Sequence, residues 1–144
     1  MVERLLELDR TFGLKDRAIV ETSFTGTGFE RLSAAGFYLS YYLPTGPIRR
    51  ALKAERREEL GAAAEQIARV VERHGASAVS FARGLHPFAR DHLGALAERR
   101  GLDFLTWDLA LDSARAGFAR RLAERHPDPR LKVILVTFRS RFDI

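Results

Sequence analysis

Three times this chain of 144 residues runs a basic helical phrase into a Gly or Pro and then into a short apolar run. Val71-Glu72-Arg73-His74-Gly75 precedes Ala78 to Phe81, Ala97-Glu98-Arg99-Arg100-Gly101 precedes Leu102 to Trp107, and Ala123-Glu124-Arg125-His126-Pro127 precedes Leu131 to Phe138. Gly or Pro stops a helix where the chain must turn, and basic residues just before it suit the negative end of the helix dipole. Each following run is rich in β-branched or aromatic residues, as strands buried on both faces are. Repeated helix-then-strand units predict an α/β domain with a largely parallel sheet and covering helices.

Composition narrows the class further. The length fits one domain over residues 1–144 with a substantial core. No apolar run approaches the roughly 20 residues of a membrane span, and Met1-Val2-Glu3-Arg4 does not begin a signal peptide, so a cytoplasmic protein without a membrane partner is the expectation. With no cysteine, a disulfide framework, a thiolate metal site and a thiol nucleophile are excluded. There is no Asn, one Gln and one Met. Such scarcity of labile residues amid many charges fits a thermophilic source, and a GC-rich genome explains it equally well. The formal charge is +5, and Arg outnumbers Lys 21 to 3. Arg suits bidentate phosphate contacts, so the balance is compatible with a nucleic-acid partner, although codon bias produces the same excess.

Along the chain, Arg4 to Asp9 reads as a strand or a helical turn, Arg17 to Phe24 as a strand, and the aromatic run Gly36 to Leu43 as another. Short connections between these runs predict antiparallel neighbours, because a parallel return needs a long crossover. Ile48 to Lys53 forms the first turns of a long helix or a short helix of its own. From Glu55 to His74, Leu60, Ala64, Ile67 and Val71 recur at helical spacing, with Glu65 and Arg69 as an exposed i,i+4 pair. A second helix is expected over Pro87 to Arg100, with Phe88, Leu93 and Leu96 inward. A third is expected from Asp112-Ser113, with Ala114, Phe118 and Leu122 inward. Three N-terminal strands followed by alternating helices and strands is the order of a ribonuclease H-like fold: antiparallel N-terminal strands joined to parallel αβ units. A doubly wound Rossmann-type sheet is the alternative, favoured by the final strand.

In a ribonuclease H-like nuclease, carboxylates at the ends of central strands hold two divalent metals that activate water and stabilise the leaving oxygen. Asp9 closes the first candidate strand, Asp108 ends the strand through Trp107, and Asp112 stands near the following helix. These are the candidate catalytic residues, with Asp9 and Asp108 as ligands of Mg²⁺ or Mn²⁺. A strand-end Asp is also a common turn residue, and Asp112 a plausible helix cap.

At these positions the chain resembles the RuvC-like Holliday-junction resolvase superfamily, especially its YqgF branch of resolvases and ribosomal-RNA processing factors. Leu8-Asp9-Arg10-Thr11-Phe12-Gly13 is similar to the family's first strand and turn. Gly84-Leu85-His86-Pro87 looks like a variant of its Gly-Leu-Pro segment, and Trp107-Asp108 matches half of its Trp-Asp-Glu-Arg motif. Leu109 stands where that motif has a carboxylate, and Arg10 where the family prefers a small or neutral residue. The resemblance implies a divalent-metal-dependent nuclease acting on structured DNA or RNA. The departures imply the alternative, a non-catalytic module that regulates transcription or translation machinery through a protein or RNA partner.

Basic residues fall into two stretches. Arg49, Arg50, Lys53, Arg56 and Arg57 cluster at the start of the long helix and are the candidate nucleic-acid-binding residues. Arg120, Arg121, Arg125, Arg130, Lys132, Arg139 and Arg141 fill the C-terminal quarter. Tyr38, Tyr41 and Tyr42 are either stacking surfaces or core. Thr25-Gly26-Thr27-Gly28 lacks the third Gly of a dinucleotide fingerprint and the Lys of a P-loop, and reads as a turn. His86 and His92, six apart, do not share a helix face as i,i+4 ligands would. The run Val133 to Phe138, left as an uncovered strand edge, would invite a homodimer.

Overall fold

In a computed structural model the described residues are 2–23, 25–108 and 131–136. They form α1 (Val2–Phe12), β1 (Ile19–Thr22), α2 (Thr27–Ala34), β2 (Tyr38–Tyr42), α3 (Thr45–Lys53), α4 (Arg57–His74), β3 (Ala78–Ala82), α5 (His86–Arg100), β4 (Asp103–Asp108) and β5 (Leu131–Val136). The α/β class is as expected. The five strands lie in one sheet in chain order, β1-β2-β3-β4-β5, and every neighbouring pair is parallel.

That order corrects two expectations. The antiparallel N-terminal strands of the ribonuclease H-like layout are absent from the described residues, because α2 carries the chain back from the end of β1 and sets β2 parallel to it. The first expected strand, Arg4 to Asp9, is part of α1. Val2, Leu5 and Leu6 follow helical spacing and pack toward Phe29 and Leu32 of α2. Nor is the sheet doubly wound. Such a sheet reverses direction from its first strand, whereas these strands follow one another in chain order.

The described helices pack on one face of the sheet, and Ser40 and Ser80 on the other face are buried as well. Val20 and Leu39 meet α1 and α2 in one cluster. Tyr41, Val79, Phe81 and Phe104 meet Ile48, Ile67, Phe88 and Leu93 of α3, α4 and α5 in another. By the strand registers these residues share one side of the sheet. Thr106 joins them and donates to the carbonyl of Phe81 at 3.0 Å, so its buried hydroxyl is satisfied. The other side carries Tyr38, Ser40, Ser80 and Asp103. Tyr38 of β2 donates to Asp103 Oδ2 of β4 at 2.6 Å, spanning the intervening β3. Burial first, and then the carboxylate it bonds, push the Tyr38 phenol well above its ordinary pKa.

Two of the three punctuated phrases end as read. Gly75 and Gly101 adopt left-handed backbone and return their N–H groups to Val71 and Ala97. Gly75 is required twice over, since a Cβ there would stand 2.5 Å from Ser33 Oγ. The third phrase, and the helix expected from Asp112, lie outside the described residues.

Candidate nucleic-acid interface

In an open parallel sheet, ligands meet the edge where the strands end. The chain builds an extra helix there. β2 ends at Tyr42, and α3 starts at Thr45 before α4 makes the long return. On α3, Ile48 and Ala51 are buried against the core, and Arg49, Arg50 and Lys53 are exposed. α3 also touches the turn Arg83–Leu85 that follows β3, which confirms its place along this edge.

α3 stops because Ala54, Glu55 and Arg56 break the helix, with Glu55 in left-handed backbone at φ 51°. Ala and Glu are good helix formers, so nothing in the sequence marked this turn. Its effect is to bring Arg56 round to Arg50 and Lys53. Together with Pro47, Ala54 and Glu59 they line an open recess of about 340 Å³. Arg56 donates to Glu59 at 2.9 Å. Arg49, Arg50, Lys53 and Arg57 have no ion pair among the described residues. The nearby acids Glu58 and Glu59 sit in the first turn of α4, where the helix dipole favours them. The exposed face of α3 is thus cationic, with guanidinium and ammonium donors set for anionic oxygens.

Comparison with known proteins finds no matching family model, curated protein or solved structure.

The candidate carboxylates do not gather at this edge. Asp9 sits near the C-terminal end of α1, where Oδ1 accepts from the Lys15 amide at 2.8 Å. That turn leads directly into the first residue of β1, so Asp9 lies at the start of the strands. Asp108 is the last residue of β4, at their end, in register with Val136. The two are separated by the length of a strand, about 15–20 Å, and by three strand spacings, about 14 Å. Two-metal catalysis needs ions about 4 Å apart, so this pair does not fit a shared metal centre. Asp112 lies outside the described residues, as do Leu109 and the C-terminal basic residues through Arg130, Arg139 and Arg141. Among the described residues no three His, Asp or Glu side chains come together as metal ligands would.

The remaining candidates take structural places. Tyr41 is core and its phenol is pushed up by burial. Tyr42 accepts from Thr45 Oγ1 at 3.4 Å. His86 is buried against Phe81, whereas the exposed His92 stacks on Phe88 with centroids 5.2 Å apart. His74 closes α4, with Nδ1 3.1 Å from Glu30 Oε1, and so faces α2. Thr25 and Gly26 lead into α2, whose first residues are Thr27 and Gly28, and no Lys follows as in a phosphate loop. No described helix is long and apolar enough to cross a membrane.

Proposed function

We propose that this chain is a nucleic-acid-binding module that reads the phosphate backbone with α3 and the turn after it, without a metal centre built on Asp9 and Asp108. The observation that carries this reading is the exposed face of α3. It holds Arg49, Arg50 and Lys53 with no acidic residue, at the edge where parallel sheets take ligands. Arg56, brought round by the turn, gives the recess a third cation. Such contacts fix position on a backbone and carry no sequence code, so binding is electrostatic and falls with salt.

Fluorescence anisotropy with single-stranded RNA and duplex DNA of equal length tests this. The Arg49→Ala, Arg50→Ala, Lys53→Ala triple variant binds about tenfold more weakly near physiological salt, and the slope of log affinity against log salt falls by about two to three. Equal affinity and slope in the triple variant would remove α3 from the interface. Running the same nucleic acids with Mg²⁺ and Mn²⁺ tests the nuclease reading, which keeps only Asp108 at the correct edge. Metal-dependent cutting abolished by Asp108→Asn would restore it.

A further inference from the structure

The sheet has an open edge whose outward groups complement their own twofold image. β1 is the outermost strand and, among the described residues, pairs only with β2. On β2, Leu39 accepts from Ser77 and, just beyond the strand, Leu43 donates to Ser80. The odd-numbered residues therefore turn their backbone groups to β3, and the even-numbered ones turn theirs to β1. Ser40, in register with Glu21, bonds Val20 and Thr22 on either side of it. That leaves the N–H and C=O groups of Ile19 and Glu21 pointing away from the sheet, the unpaired row that an edge strand offers to another chain.

The side chains along this row are exposed too. Phe12, which closes α1 ahead of the turn into β1, and Ile19 are the exposed large apolar residues among those described. Arg17, two residues before Ile19, and Glu21, two after it, are exposed and have no ion pair among the described residues. This order of cation, isoleucine and anion restricts how the edge can pair with itself. Residues directly opposite in an antiparallel pair share a face, so a twofold axis between identical strands passes through one residue position. At Ile19 it sets Ile19 against its own image and Arg17 against Glu21 twice. At Val20 it sets Ile19 against Glu21, and at Glu21 it sets two carboxylates face to face. Charge thus favours one register over its neighbours.

We propose that two copies of this chain pair antiparallel through β1 about Ile19, joining their five-stranded sheets edge to edge. The occupant is a second copy because the edge carries its own complement, whereas an uncharged extended peptide would leave Arg17 and Glu21 unmatched. The interface is isologous and short, so association is weak, with a dissociation constant of about 10–100 μM. It uses no residue of α3 and is independent of nucleic-acid binding there.

Sedimentation equilibrium of the full chain between about 10 and 500 μM reads the association. The parent passes from monomer to dimer across that range. Arg17→Glu and Glu21→Arg each weaken self-association about tenfold or more, because each sets two like-charge pairs across the axis. An equimolar mixture of the two variants dimerises as the parent does, since every Arg–Glu pair is restored in the mixed dimer. The double exchange Arg17→Glu/Glu21→Arg dimerises alone, at unchanged net charge. Either recovery also shows that the single substitutions leave the fold intact. A monomer throughout the range, a dimer indifferent to both reversals, or losses that neither mixing nor the double exchange restores would each overturn the inference.

Discussion

β1 and β3 are both short parallel strands of one sheet, yet all five residues of β3 are buried and the residues of β1 alternate between exposed and half-buried. The difference is one of neighbours. β3 has strands on both sides and α4 and α5 over it, so Val79 and Phe81 meet a continuous apolar layer. β1 is an edge strand with α1 and α2 over one face, and Ile19 remains 48% exposed on its far face. The centre is thus sealed on both faces, and the edge is not.

Denaturant unfolding of paired truncations sharpens this contrast most. Phe81→Ala removes a fully buried ring that packs edge-on against Phe104 at 5.7 Å, and costs about 3–5 kcal/mol. Val20→Ala, half-buried on the edge strand, costs about 1 kcal/mol. Equal costs would mean that edge and centre are packed alike. A smaller effect comes from Tyr38→Phe, which removes the bond to Asp103 across β3 and costs about 1–2 kcal/mol. Its pH dependence has a definite sign. The folded-state pKa of Tyr38 is raised, so the stabilisation is complete below the unfolded phenol value of about 10 and is lost as pH rises above it. Tyr38→Phe therefore loses less stability between neutral and strongly alkaline pH than the parent. At the bottom of the scale, Glu3→Gln breaks the exposed pair with Arg31 and leaves the unfolding midpoint unchanged within error, because solvent screens such pairs. A clear drop would show that α1 is held at the edge by charge rather than by Val2, Leu5 and Leu6.

The same contrast explains what could be read from the sequence. The strands over 78–82 and 103–108 and the helices before them were legible, because continuous burial writes uninterrupted apolar runs and Gly75 and Gly101 mark the turns. At the edge the signals are weaker. Leu5, Leu6 and Leu8 satisfy a strand and a helix equally well over so short a run, and α2 begins Thr27-Gly28, which reads as a break. Missing that one crossover helix turned a parallel pair into an expected antiparallel one. The basic residues of the site were legible as a cluster. Their convergence was not, since it depends on Glu55 adopting a backbone conformation that its type disfavours. Asp9 misled for a related reason: its carboxylate closes the turn after α1, a role that leaves the same local pattern as a strand-end ligand.

The most direct test of the proposed interface is a titration of the protein with a short oligonucleotide, followed residue by residue through backbone amide chemical shifts. The expected perturbations concentrate on Arg49 to Arg57 and on the adjoining turn at Arg83, and weaken together as salt rises. Shifts centred instead on Asp9 and Lys15, at the opposite edge of the sheet, would contradict the placement of the interface on α3.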